Sequence, residues 1–117
     1  MFIPSSILKK VLKEFKVEDS TIHLELINPL MSVTITKLED ITIDDKELPK
    51  ENVTLELGDK KMKLNELKQD ERIPFKVGDN LKIKIENLSV EKGKHVVKFN
   101  LKTREFGSLN LKFDVEI

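Results

Sequence analysis

The chain has 117 residues, with 21 Lys and Arg against 21 Asp and Glu, so its formal net charge is zero. It contains no Cys, Trp, Tyr or Ala. That excludes a disulfide-stapled domain, a thiol nucleophile or thiolate-held zinc, and an ordinary helical bundle, because Ala is the strongest helix former. A nucleic-acid binder carries a basic excess and stacking aromatics, and neither is present overall.

The length predicts one domain over residues 1–117, burying roughly 65% of its unfolded surface in a single core. Charged residues make up 36% of the chain, nineteen of the 21 basic residues are Lys, and Gln69 is the single Gln. Rich Lys and Glu with little Gln and no Cys is the bias of heat-adapted proteins, so a thermophilic source is expected. The opening residues from Met1 to Lys10 show no basic n-region, no apolar run of seven and no small-residue cleavage site. No stretch reaches the roughly 18 apolar residues of a membrane span. The expectation is therefore a cytoplasmic protein with no membrane and no nucleic-acid partner.

In chain order, Ile7, Leu8, Val11, Leu12 and Phe15 fall on one helical face. With Pro4 and Ser5 able to open it, they predict a short helix over about residues 4–11. Phe15 and Val17 fit a strand as well, so the helix stops early. Phe2, Ile3, Ile7 and Leu8 form an N-terminal apolar patch that either caps the core or contacts another copy. From there the period is two. Ile22, Leu24 and Leu26 make one apolar stripe, and Val33, Ile35, Ile41 and Ile43 make the next. Leu38 lies on the other parity, which predicts a bulge or break near Leu38–Asp40. Val53, Leu55 and Leu57 follow, then Leu81, Ile83 and Ile85, then Val97, Phe99 and Leu101, and finally the alternate residues from Leu109 to Ile117.

Turn residues fall between these stripes: Glu18-Asp19-Ser20, Asn28-Pro29, Asp44-Asp45-Lys46, Gly58-Asp59, Gly78-Asp79-Asn80, Lys92-Gly93-Lys94 and Phe106-Gly107-Ser108. Residues 64–70 can hold one further helical turn. Apolar-in, polar-out alternation predicts antiparallel sheets with one wet face. The fold class is mainly all-β, an antiparallel β-sandwich of about 7–8 strands with a short N-terminal helix. A closed barrel is the alternative.

Little in the chain carries chemistry. There is no G-x-S-x-G elbow, no phosphate-binding glycine loop, and no His pair at metal-ligand spacing. No catalytic residue, no metal and no cofactor is assigned. The acidic group Asp44, Asp45, Glu47 and Glu51 reads as a solvated hairpin, with Lys46 and Lys50 interleaved, rather than a calcium site. Four residues are candidate contacts for a ligand or partner: His23, His95, Arg104 and Phe106. His23 alternates with the buried parity and faces outward. His95 shares the parity of Val97 and Phe99 just after a turn. It reads as a corner histidine bonding the backbone, with a ligand contact as the alternative. Arg104, one of two arginines, suits carboxylate or phosphate capture, against a plain rim ion pair.

Three segments together carry a resemblance. Ile41–Pro49 is followed by Val53-Thr54-Leu55, Phe75–Asp79 by Leu81-Lys82-Ile83, and Leu88–His95 by Val97-Lys98-Phe99. Over about residues 38–115 this order resembles the small β subunits of C-glycoside deglycosidases and related short proteins. In that family the metal and catalytic groups lie on a separate barrel-shaped α subunit. The resemblance implies a β-sandwich accessory subunit of a carbohydrate-active complex, not catalytic on its own, with a protein partner. A self-associating structural protein and a sugar-binding or other small-ligand module using His95 and Arg104 are the alternatives.

Overall fold

The switch from helical to alternating periodicity at Leu12 sets the chain's first corner. In the computed structural model, which describes residues 5–67 and 72–117, helix α1 (Ser5–Val11) runs directly into strand β1 (Leu12–Glu18). Val11 is buried and Ile7 packs against the core. Of the rest of the predicted N-terminal patch, Phe2 and Ile3 and the side chain of Leu8 lie outside what the structure describes.

Two five-stranded antiparallel sheets follow. The first contains β1, β2 (Thr21–Ile27), β8 (Asn80–Ile85), β5 (Val53–Leu57) and β6 (Lys60–Lys63), in that spatial order. The second runs β10 (Gly107–Glu116), β9 (Lys94–Thr103), β3 (Val33–Ile43), with β4 (Lys46–Glu47) and β7 (Ile73–Phe75) both pairing β3. The ten strands among the described residues exceed the 7–8 expected because β4, β6 and β7 are two to four residues long. Segments that short show too little alternation to be read. Residues Leu64–Glu66 form a 3-10 turn that ends at an extended Leu67; residues 68–70 of the predicted helical segment lie outside the described residues.

Each apolar stripe faces inward. Ile22, Leu24, Ile83, Ile85 and Val53 from the first sheet meet Ile41, Val97, Phe99 and Phe113 from the second, all buried. Phe99 and Phe113 pack edge-on at 5.9 Å between ring centres, a favoured aromatic geometry. β3 keeps one strand through 11 residues because the misplaced parity of Leu38 is absorbed by two register shifts, between Ile35 and Lys37 and between Leu38 and Asp40. Each shift puts an extra residue on β3 and returns Ile41 to the core face.

Candidate functional site

The end of the sandwich where β2, β9 and β10 meet their loops is open and apolar. A cavity of about 120 Å³ lies there, its walls including Val11, Leu26, Phe75, Phe106, Leu109 and Leu111. Leu30 and Met31 stand on the rim at 39% and 49% exposure. Val77, 54% exposed, projects from the neighbouring loop. Large apolar side chains held in water at one place mark an interaction site.

Three loops frame this mouth, and a polar side chain ties each one. Asn28 is buried. Its amide nitrogen donates to the carbonyls of Met31 and Phe75, each at 2.9 Å, and its side-chain oxygen accepts from the Leu30 N–H at 3.1 Å. Its backbone accepts from Gly78 and donates to Asp79. One side chain thus clamps the 28–32 loop to the 75–79 loop. The third loop, 104–106, is held by Thr103, whose buried hydroxyl donates to the Gly107 carbonyl and accepts from the Phe106 N–H. Glu105 crosses to β3, accepting from the Thr34 N–H at 2.7 Å and from its hydroxyl at 3.0 Å. Those bonds hold its carboxyl below the usual range, the Thr34 N–H contributing most. The rim residues therefore stand on braced backbone, not on free loops.

Asn28 escaped the reading of the sequence. Asn-Pro at a strand end signals termination, and nothing in that dipeptide distinguishes an Asn that turns inward from one facing water.

The four candidate residues are not brought together. Phe106 reaches the mouth and packs on the core. Arg104 sits beside it in the loop, exposed, its backbone N–H bonded to the Thr34 carbonyl at 3.0 Å. His95 lies at the other end of β9, roughly 30 Å along an extended strand of ten residues. His95 and Arg104 therefore do not share one site.

His95 is instead locked in a corner. Its Nδ1 lies 2.6 Å from the Asp44 carboxylate and its Nε2 2.6 Å from the Glu91 carbonyl. A carboxylate and a carbonyl both accept, so the corner favours the doubly protonated, cationic ring, which donates from both nitrogens. The Asp44 bond, then the Glu91 carbonyl, raises the His95 pKa above 6.5. The same His95 contact, reinforced by the Val96 N–H at 3.0 Å, lowers Asp44. Asp44 and Asp45 take left-handed backbone, φ 51° and 67°, the two-residue turn that joins β3 to β4. Asp45 pairs with Lys98 at 3.0 Å. Asp44 and Asp45 are thus engaged by His95 and Lys98 of their own chain, and among the described residues no cluster of three or more His, Asp or Glu is arranged for a metal.

His23 faces outward on the first sheet. It sits between Lys16 on β1 and Lys84 on β8 in the ladder, within a shallow groove of about 430 Å³ lined mainly by charged side chains. Lys16 pairs with Glu18, Lys84 with Glu86 and Lys13 with Glu25. The groove is a balanced, solvated face, and such exposed pairs add little binding or stability.

Among the described residues no helix is long and apolar enough to cross a membrane. No curated protein matches the chain. A solved structure, that of the N-terminal domain of PorA, is similar over 88% of this chain and 83% of its own, at 16% identity and a TM-score of 0.38. Residues 8–117 match the family model described as hydroxymethylglutaryl-CoA reductase, N-terminal domain. The family model does not name a C-glycoside deglycosidase, so what survives of that resemblance is a small β domain. The chain belongs to the hydroxymethylglutaryl-CoA reductase N-terminal domain family.

Proposed function

We propose that the chain is a non-catalytic accessory module that docks, through its apolar mouth, onto the catalytic part of a hydroxymethylglutaryl-CoA reductase. The observation that carries this is the exposure of Leu30 and Met31 on the cavity rim, on a loop braced by Asn28. The size of the cavity favours a protein occupant. Pockets for small molecules run to roughly 300–1,000 Å³, whereas about 120 Å³ admits one or two inserted apolar side chains. A few such buried anchors dominate most protein interfaces. The choice of partner is supported by the family description, which names the N-terminal domain of that enzyme.

The charge-balanced, Lys-rich, Cys-free composition fits a heat-adapted protein in a reducing compartment, and we propose a cytoplasmic setting in a thermophile. A carbohydrate-active partner of the C-glycoside deglycosidase type is the second reading. It rests on the turn-and-strand order of residues 38–115 and uses the same docking logic. Co-elution tests the choice. The chain mixed with the catalytic region of a hydroxymethylglutaryl-CoA reductase from the same source is expected to elute as a complex. Separate elution of two folded proteins contradicts the reductase reading.

A further inference from the structure

The sheet edges are treated unequally. β1 carries a register shift between Leu12 and Glu14 and outward charges. β6 has three lysines in four residues, and β4 and β7 are two and three residues long, the latter with Pro74. Bulges, lysines, prolines and shortness are the devices that stop a strand edge from pairing with another chain. β10 has none of the structural ones. It is ten residues long, without proline, and pairs β9 without a register shift.

The open side of β10 can be read from its ladder. Just beyond the strand, Gly93 and Ile117 exchange both backbone bonds, at 3.3 and 3.0 Å. Bonded pairs alternate along an antiparallel ladder. Leu109, Leu111, Phe113 and Val115 therefore bond to β9. The N–H and C=O groups of Asn110, Lys112, Asp114 and Glu116 point away from it, and among the described residues no hydrogen bond reaches them. The four side chains are exposed.

We infer that β10 pairs antiparallel with β10 of a second copy, about a two-fold axis at Phe113, making one continuous sheet of the two. Charge selects the register. With the axis at Phe113, Lys112 lies opposite Asp114 of the second copy, and the reverse pair repeats it. Asn110 lies opposite Glu116. About eight backbone hydrogen bonds close between these positions. Shifting the axis one residue toward the N-terminus sets Lys112 against Lys112. Shifting it one residue the other way pairs Lys112 with Glu116 but sets Asp114 against Asp114, so only the Phe113 register has unlike pairs with no like charges opposed. Like charges directly opposite destabilise a sheet and unlike charges stabilise it, and no other register of this strand forms two Lys–Asp pairs. The inner face is continuous in the same register, with Leu111 opposite Val115 and Phe113 opposite itself, all three residues already buried in the core. α1 also packs on β10, with Val11 beside Leu109 and Leu111 on the cavity wall, so the two Lys112–Asp114 pairs flanking the axis carry the contact and Asn110 lies at its α1-side margin. The exposed rim residues Leu30, Met31 and Val77 lie outside the paired strand, so the inference stands independently of what the mouth binds.

Sedimentation equilibrium on the full chain at about 0.1 mM tests it. The wild type is expected to run as a dimer. Lys112→Asp and Asp114→Lys, each creating like-charge opposition, are expected to halve the mass while keeping the wild-type circular dichroism. The double swap K112D/D114K recreates two opposite-charge pairs and is expected to restore the dimer. A monomeric wild type, a dimer indifferent to K112D, or a swap that stays monomeric overturns the inference. Amide exchange on the wild type gives a second readout free of variants. The Lys112 and Asp114 amides are expected to gain protection as concentration rises, and concentration-independent exchange overturns the pairing.

Discussion

The His95 ring donates to the Asp44 carboxylate at 2.6 Å across 51 residues of chain, joining the start of β9 to the β3–β4 turn. Asp44 in turn both accepts from the Val96 N–H, at 3.0 Å, and donates its own N–H to the Val96 carbonyl, at 2.9 Å. The left-handed backbone at Asp44 places the carboxylate at this corner, and the imidazolium completes it.

This corner makes stability depend on pH in a defined direction. His95 is raised above 6.5 in the folded chain, so its contribution is fully present below 6.5 and is lost as pH rises through the folded value. Asp44 is lowered below 3.8, so its contribution is present above 3.8 and is lost as pH falls through the folded value. Urea unfolding of the wild type against His95→Gln is expected to show the largest gap between those two limits, closing at alkaline pH. A gap that widens from pH 6 to pH 9 contradicts the imidazolium corner.

Asn28 is the polar residue on which the mouth depends. Asn28→Ala strands the Leu30 N–H and the Met31 and Phe75 carbonyls. A cost of about 2–3 kcal/mol is expected from such unsatisfied groups. Exchange of the Leu30 amide is expected to speed up more than that of the central strands, because the clamp is local. Chemical denaturation and amide exchange on the one variant check both parts.

Phe99 is 1% exposed and packs edge-on against Phe113. Phe99→Ala removes a large side chain from between the sheets, and about 3–5 kcal/mol of destabilisation is expected in equilibrium unfolding. An effect below about 1 kcal/mol would mean that the two sheets collapse over the gap.

The rim residues contrast with the core. Leu30 and Met31 are 39% and 49% exposed, so changing both to Asp is expected to leave stability within about 0.5 kcal/mol, the usual range for surface substitutions away from special features. A large loss of stability in L30D/M31D would identify these residues as part of the core and remove the case for an exposed docking rim.

The alternation of Ile22, Leu24 and Leu26 and its successors made the sandwich legible, because a half-buried antiparallel strand writes its two faces into alternate residues. The parity error at Leu38 likewise announced the bulge between Leu38 and Asp40 in β3, though not the second between Ile35 and Lys37. The mouth was less legible. Leu30 and Met31 follow Asn28-Pro29 in a segment without periodicity, and Val77 sits alone before Gly78, so their convergence depends on β7 pairing with β3. Three residues of β7 carry too little pattern to reveal that pairing. Arg104 and His95 looked like neighbours in a list of polar residues, but they bracket one strand and stand at opposite ends of the molecule. Asp44 drew notice as one of an acidic group, and only the 51-residue contact shows it serving His95.

Titration calorimetry of the catalytic region of a hydroxymethylglutaryl-CoA reductase with this chain tests the docking proposal most directly. Saturable binding by the wild type with a negative heat-capacity change, the mark of apolar burial, and at least a tenfold weaker affinity for L30D/M31D, about 1.4 kcal/mol, is the predicted result. No binding by the folded wild type, or equal binding by L30D/M31D, would contradict it.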